Sequence, residues 1–436
     1  MNVTERARTL LSSGPICDAC LGRPFADRSF GLTNAQRGRA LRTTIALEDD
    51  DPYESTDPAD CWVCEGHCGR YDEWAERVAE AAEGVAFDTY QVGTRVPPLI
   101  EENDVLLREE ADMDEDAGEL FKSAFNREVG KRVGRLTDSE VDFDRPDVLA
   151  LLNLERDGDV EFQVNPAFVY GRYRKLERDI PQTEWPCREC GGSGKQLAPD
   201  GEEDCDYCGG SGYLYDDSVE GYVAPHVEEA MDGDEAVFHG AGREDVDALM
   251  LETGRPFVVE VKEPQRREPD AEALEAEIND AADGAVEVEG LRLATHEMVE
   301  RVKEHDASKT YRMDVEFGAP VTEAALAEAL DDLEGTTVDQ HTPQRVDHRR
   351  ASLTRTRDVY EIDGDLDDER HGTLELHGEG GLYVKELVSG DDGRTEPSLA
   401  GLLGVDAEVT ALDVIAVEGE SEPFEVEEFF RNSEEN

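Results

Sequence analysis

The chain has 436 residues, and its 106 acidic and 43 basic side chains give it a formal net charge of -63. Hydrophobic residues still make up 38% of the sequence, which excludes a wholly disordered chain and suffices for two or three domains. No apolar run approaches the roughly 20 residues that span a bilayer, and the first residues lack the apolar segment of a signal peptide. We therefore expect a cytoplasmic protein with no membrane partner.

The acidic residues are spread along the whole length rather than gathered in a tail. In molar salt the Debye length falls to about 3 Å, so repulsion between carboxylates is screened while they keep the surface hydrated. We interpret the chain as a halophilic protein. A basic cluster that survives in such a background indicates contact with phosphate.

Residues 1–70 are predicted to form an N-terminal metal-binding module. Two CxxC pairs supply the four soft ligands that a structural zinc ion needs. The leftover Cys68, or His67 beside it, is an alternative for one ligand. The four predicted ligands are Cys17, Cys20, Cys61 and Cys64.

Residues 71–180 are predicted to form an α+β module. Helical periodicity covers 72–78 and 120–136, and strand-like runs cover 160–164 and 167–170. Helices and strands mixed in so short a region indicate that they pack on one core.

Residues 181–216 are predicted to form a compact insert built on an internal repeat, in which each CxxC pair is followed by Gly-Gly-Ser-Gly. Two such knuckles offer a second tetrahedral thiolate set for zinc. A redox pair is the alternative, but a redox enzyme would carry one CxxC pair at a strand–helix junction rather than four pairs in two sets. The predicted ligands are Cys187, Cys190, Cys205 and Cys208.

Residues 217–436 are predicted to form the largest domain. Helical patterns at 226–231, 270–282 and 324–333 alternate with many short strand-like runs. This alternation is typical of a mixed, largely antiparallel sheet with helices packed on it, and the fold class is α+β.

Two basic clusters stand out against the acidic background, one at 171–178 and one at 344–357. Arginine suits RNA because its planar fork binds phosphate with two bonds and also stacks on bases. The predicted RNA contacts are Arg172, Arg174, Lys175, Arg345, Arg349 and Arg350.

Several motifs together resemble one family, the archaeal and eukaryotic tRNA pseudouridine synthases that modify the adjacent uridines 54 and 55 of the T loop. The resemblance covers nearly the whole chain and is carried by segments 17–25, 170–175, 180–186, 242–247, 309–311, 344–357, 383–387 and 393–398. It implies a zinc-bearing, THUMP-containing domain that binds the tRNA T arm, followed by a catalytic domain. It also implies structural zinc and no organic cofactor, and we expect a monomer.

The resemblance also assigns roles to residues of the catalytic domain. Asp245 would be the nucleophile, and Tyr311 would stack on the flipped uracil. Lys385 would pair with Asp245 and keep it ionised, while Arg243 would fill the gap left by the base or hold a phosphate. The remaining implied substrate contacts are Tyr383, Val384 and Leu412.

Two alternatives stay open at this point. Asp247 lies two residues from Asp245, on the same face if the segment is extended, and could be the nucleophile instead. The other alternative is a noncatalytic, zinc-stabilised tRNA-binding protein or RNA chaperone, which would have no need of Asp245, Tyr311 and Lys385 together. A methyltransferase is disfavoured because no glycine-rich nucleotide loop follows a strand.

Overall fold

A computed structural model describes residues 2–155, 159–198, 201–344 and 353–431. The chain divides into two compact units. Unit 1 comprises Met1–Pro166 and Glu263–Arg267, and unit 2 comprises Ala167–Lys262 and Glu268–Asn436. Within the described ranges, no helix combines the length and the apolar character that crossing a bilayer requires.

Unit 1 is an α+β unit. Its helices are α1 (Val3–Ser12), α2 (Asp18–Gly22), α3 (Asn34–Asp49), α4 (Tyr71–Ala81), α5 (Pro98–Glu110) and α6 (Phe121–Thr137). Its strands are β1 (Thr89–Arg95), β2 (Glu140–Val141), β3 (Val148–Asn153) and β4 (Asp159–Val164), in the sheet order β2-β1-β3-β4. Strand β1 runs parallel to β2 and β3, and β4 runs antiparallel to β3.

The helices of unit 1 begin where the sequence offers caps and bury one apolar face. Helix α3 starts with a reciprocal capping box between Thr33 and Gln36, which satisfies amide groups that would otherwise lack partners. Helix α4 buries Trp74 and Val78 in the same core as Phe125 of α6. The predicted helices at 72–78 and 120–136 correspond to α4 and α6.

Unit 2 contains the remaining elements. Its helices are α7 (Val219–Met231), α8 (Ala271–Ala281), α9 (His296–Glu304), α10 (Glu323–Leu333), α11 (Val384–Ser389) and α12 (Leu399–Leu403). Its strands are β5 (Ala167–Lys175), β6 (Lys195–Ala198), β7 (Gly201–Asp204), β8 (Glu235–Gly240), β9 (Met250–Lys262), β10 (Val286–Ala294), β11 (Ala307–Phe317), β12 (Thr337–His341), β13 (Thr354–Leu366), β14 (His371–Gly378), β15 (Thr395–Glu396) and β16 (Ala407–Gly419).

Most of these strands form one sheet, with ten strands among the described residues. The order is β10-β5-β9-β16-β11-β14-β13-β12-β15, and β8 pairs with β9. The β9–β16 contact is parallel and short, whereas the other ladders are antiparallel. The predicted fold class, α+β with a mixed, largely antiparallel sheet, is confirmed.

The short β9–β16 ladder joins two halves of the sheet, each with its own core. Helices α7, α8 and α9 share one core with β5, β8, β9 and β10, whereas α10 and α11 share the other with β11, β13 and β14. Tyr311 on β11 packs against both cores. The seam between the halves is therefore where the loop after β8 can meet β11 and α11.

One boundary differs from the sequence analysis, which grouped residues 167–180 with the second region. Strand β5 lies between β10 and β9 in the large sheet, so unit 2 begins at Ala167. Its residues Phe168, Val169 and Tyr170 are buried in the core of that unit. Their burial between two long strands explains why β5 belongs to unit 2.

Candidate active site and metal sites

The predicted active-site residues line one cavity of about 260 Å³ at the seam of the large sheet. The loop between β8 and β9 contributes Arg243 and Asp245, and β11 contributes Tyr311. Two more places in the fold complete the wall: the start of helix α11 with the residues just before it, and strand β16. They contribute Tyr383, Val384, Lys385 and Leu412. The tertiary structure thus gathers residues that lie up to 169 positions apart in the chain (243 to 412).

The loop after β8 turns at Gly242, whose φ of +73° is in the left-handed region that favours glycine. An added Cβ there would lie 3.3 Å from Arg255 Nη1 and 3.9 Å from Lys309 Nζ. A side chain at this position would therefore be strained by the backbone and also crowded by two cations.

Glu244 anchors the loop to the sheet. Its carboxylate is fully buried and lies 2.9 Å from Arg255 Nε, and it accepts hydrogen bonds from the Tyr173 hydroxyl at 2.9 and 3.0 Å. Gln182 donates to the Tyr173 hydroxyl and also to the Gly242 carbonyl. A buried carboxylate is tolerated only when it is paired and hydrogen-bonded in this way.

Lys175 fixes the same loop through its backbone. Its side chain is 0% exposed, and Nζ donates to the carbonyls of Ile180 at 2.7 Å, Val246 at 3.0 Å and Asp245 at 3.3 Å. The prediction that Lys175 contacts RNA is therefore wrong, because a phosphate cannot reach a fully buried ammonium. The residue instead sets the position of Asp245.

Arg172 and Arg174 are paired within the protein, and their contacts with RNA stay a prediction. Arg172 bonds to Glu425 at 3.0 Å and to the carbonyls of Val417 and Gly254. Arg174 pairs with Glu287 at 3.0 Å and with Glu289 at 2.8 Å. RNA would have to displace these protein acceptors before either guanidinium could bind a phosphate. The predicted contacts Arg345, Arg349 and Arg350 lie outside the described residues and stay a prediction.

Asp245 is the acidic group that projects from the loop toward the cavity. Its side chain is 53% exposed, and Oδ2 lies 3.6 Å from Lys385 Nζ. Asp247 is 68% exposed and 3.9 Å from the same ammonium, but it is absent from the cavity wall. The geometry therefore favours Asp245 over Asp247 as the reactive carboxylate.

Tyr311 contributes an aromatic face and a protonated hydroxyl. Burial raises the pKa of Tyr311 to about 12, with Arg255 lowering it and Asp245 raising it further. The hydroxyl therefore stays neutral near pH 7, where it can donate a hydrogen bond but is no ready proton acceptor.

Arg243 and Tyr383 are held by neighbouring elements. The guanidinium of Arg243 lies 5.6 Å from the centre of the Trp185 ring, at the edge of the knuckle insert. Tyr383 is buried, and its amide and carbonyl both bond to the side chain of Gln340 at 2.7 and 2.9 Å. Both residues are thus oriented by contacts outside the cavity.

The first cysteine cluster brings four buried thiols within 4.8 Å of one another: Cys17, Cys20, Cys64 and Cys68. A tetrahedron with zinc–sulfur bonds of about 2.3 Å has edges of about 3.8 Å. The Cys17–Cys64 and Cys20–Cys68 separations are 3.9 and 3.8 Å, which fits a four-coordinate metal ion. Arg23 donates to Cys20 at 3.1 Å and also pairs with the buried Asp104, so the thiolate charge is compensated.

This cluster differs from the predicted ligand set at one position. Cys68 stands in the compact group where the sequence analysis expected Cys61. Gly66 has a left-handed φ of +89°, and the 3-10 turn His67–Gly69 folds Cys68 back toward Cys20. Cys61 is also buried, and its thiol interacts with Cys17 and Cys64.

The second cluster consists of the predicted residues, and its thiols also lie within 4.8 Å of one another. The Cys187–Cys205 and Cys190–Cys208 separations are 4.0 and 3.8 Å. The amides of Gly194 and Gly212 donate to the sulfurs of Cys190 and Cys208 at 3.3 and 3.2 Å. Such donors stabilise thiolates, so this group also fits a metal ion.

Comparison with known proteins decides the family. The model described as "Pus10, C-terminal" matches residues 168–418, and the model described as "Pus10 THUMP domain, archaeal" matches residues 74–153. The first match covers more than half of the chain.

The chain belongs to the Pus10 family of tRNA pseudouridine synthases. It is 70% identical to the tRNA pseudouridine synthase Pus10 of Halorubrum lacusprofundi over 99% of this chain and 100% of that protein. It is 42% identical to the Pus10 of Methanothrix thermoacetophila, over 96% of this chain and 95% of that one. The prediction of an enzyme, an isomerase, is confirmed over the noncatalytic alternative.

Among solved structures, a Cbf5–Nop10–Gar1 complex matches with a TM-score of 0.30 and 14% identity, over 58% of this chain and 60% of that chain. This similarity is too low to assign a fold.

Sequence reasoning missed the residues that support the loop of the candidate active site. Glu244, Tyr173, Gln182 and Arg255 touch one another beneath the loop, and none was singled out. A signal was present in β5, where strand periodicity places Tyr173 and Lys175 on the face opposite to Arg172 and Arg174.

The metal set of the first cluster can be tested with serine variants. We expect Cys68→Ser to lower the bound zinc from two ions to one per chain, because it removes a thiol of the compact group. Cys61→Ser is the matched control and should keep two. Metal content of purified, folded protein is the measurement. If only Cys61→Ser loses zinc, the ligand is Cys61, as predicted from the sequence, and not Cys68.

The anchoring role of Glu244 can be tested by stability. We expect Glu244→Gln to lower the free energy of unfolding by about 3–5 kcal/mol, because it leaves Arg255 buried without its counter-charge. Arg174→Ala, which breaks pairs near the surface, should cost about 1 kcal/mol or less. Denaturant unfolding in molar KCl measures both, and equal losses would contradict the anchoring role.

Proposed function

We propose that this enzyme isomerises uridines 54 and 55 in the T loop of tRNA, with Asp245 as the nucleophile. The observation that carries the proposal is the cavity wall, where Asp245, Tyr311 and Lys385 meet although they come from three separate elements. A protein that only bound tRNA would not require a carboxylate, an aromatic face and an ammonium around one small cavity.

The reaction begins when the target uridine leaves the base stack and enters the cavity. Unstacking costs a few kcal/mol, which contacts inside the cavity must offset. Tyr311 offers its ring for stacking on uracil, and Val384 and Leu412 provide the apolar wall. The neutral hydroxyl of Tyr311 can donate to a uracil oxygen.

The carboxylate of Asp245 then attacks C1′ of the ribose. A bond forms between its oxygen and C1′, the C1′–N1 bond breaks, and the electron pair stays on the uracil. The detached ring turns, and C5 bonds to C1′ as the carboxylate leaves. The C5 proton is then lost to a base and N1 takes up a proton, so the product is an isomer of the substrate. Lys385, whose Nζ lies 3.6 Å from Asp245 Oδ2, pairs with the carboxylate and orients it toward the ribose.

The rest of the chain supports recognition of the substrate. We assign tRNA binding to the THUMP region and to Arg345, Arg349 and Arg350, and we place Arg243 at the gap left by the flipped base. Zinc in the two thiolate clusters would stabilise the folded chain and takes no part in the reaction. We expect a monomer that works in a salt-rich cytoplasm.

The role of Asp245 is tested by mapping pseudouridine in unmodified tRNA after incubation in molar KCl. We expect wild type to modify positions 54 and 55, and Asp245→Ala to lower the single-turnover rate by more than about 1,000-fold while still binding tRNA.

Asp247→Ala is the matched control. This carboxylate is two residues from Asp245 and lies near the same Lys385 ammonium, but it is outside the cavity wall. It should retain most of the activity. If Asp247→Ala is inactive and Asp245→Ala is not, the nucleophile is misassigned; if product appears outside the T loop, the substrate is misassigned.

A further inference from the structure

Lys309 is a cation of the cavity to which the reaction described above gives no task. It lies on β11 two residues before Tyr311, so both side chains project from the same face of the strand into the cavity. Within the described ranges, no hydrogen bond or ion pair reaches its ammonium. A charged group turned into a cavity without a partner is available to a ligand.

The surroundings of Lys309 leave its ammonium accessible on one side. An added Cβ on Gly242 or Gly380 would lie 3.9 or 3.8 Å from Nζ, so two glycines border the group where larger residues would cover it. Burial and the charge of Arg255 lower the pKa of Lys309 to about 8, while Glu420 opposes them. The ammonium is therefore held in a site that destabilises its charge, and an anion would relieve that cost.

The isomerisation creates such an anion. When the C1′–N1 bond breaks, the electron pair remains on the uracil and spreads over N1 and the two carbonyl oxygens. Lys385 is paired with Asp245, and Arg255 is paired with Glu244, so neither is free for this charge.

We infer that Lys309 is a catalytic cation, whose ammonium donates to a carbonyl oxygen of the detached uracil and holds the anionic ring while it turns. This assignment rests on the proposed function, because it requires a uracil that is released inside the cavity. A fixed charge placed where negative charge develops stabilises the transition state more than the bound substrate.

The test compares Lys309→Met, Lys309→Arg and wild type in single-turnover assays with saturating enzyme and unmodified tRNA. We expect Lys309→Met to lower the rate about 100-fold with unchanged tRNA affinity. Lys309→Arg should recover most of that loss, because the cation is restored. Lys303→Met is the matched control, since Lys303 is exposed on α9 and outside the cavity wall, and it should leave the rate unchanged.

The pH profile separates a catalytic from a structural role. Lys309 is charged below its pKa and loses its charge as the pH rises through about 8, so the wild-type rate should fall about tenfold between pH 7 and pH 9. The Lys309→Arg rate should not show this fall. The other charged groups of the cavity wall are Arg243, Glu244, Asp245, Arg255 and Lys385. All of them are present in both wild type and Lys309→Arg, so a difference between the two pH profiles reports on residue 309.

The outcomes are distinct from those that test the nucleophile. If wild type makes no pseudouridine in the T loop, the proposed function fails. If wild type is active and Lys309→Met reacts at the same rate, the inference about Lys309 is overturned. Equal pH profiles for wild type and Lys309→Arg, or a loss in Lys309→Met that follows weaker tRNA binding, would also overturn it.

Discussion

The ion pair between the buried carboxylate of Glu244 and Arg255 is the interaction on which the arrangement of the cavity wall depends. The carboxylate is held by Arg255 on β9 and by the hydroxyl of Tyr173 on β5, so two strands of the large sheet fix one residue of the loop. Its neighbours in the chain, Arg243 and Asp245, then project to the open side at the cavity. A structural ion pair thus sets the direction in which Arg243 and Asp245 leave the loop.

Cations are scarce in this chain, and most of those described are used to hold acidic elements together. Arg172 and Arg174 contact strands β9, β10 and β16 through carbonyls and glutamates. The hydrogen bonds of Lys175 go to backbone carbonyls of the loop and of Ile180. The strand alternation of β5 therefore separates two roles that look alike in a list of basic residues. Surface arginines join strands, and the inward lysine positions Asp245.

The second thiolate cluster is connected to the same loop through Trp185. Trp185 directly precedes the first knuckle of the insert and lies against Arg243 of the active-site loop. The Leu214 amide at the other end of the insert donates to the Trp185 carbonyl, and the Trp185 ring meets Tyr215 edge to face. A metal ion that closes the knuckles would therefore also steady the residue on which Arg243 rests.

The sequence by itself determined the fold class, the second thiolate set and the membership of Asp245, Tyr311 and Lys385 in one site, because periodicity, CxxC spacing and motif order are local signals. Tertiary structure decided what depends on packing between distant segments: the burial of Lys175 and Glu244, the start of unit 2 at Ala167, and the place of Cys68 in the first cluster. Burial and partner choice are properties of three-dimensional neighbours. A basic run or a fifth cysteine therefore looks the same in sequence whether it faces solvent, a carboxylate or a metal.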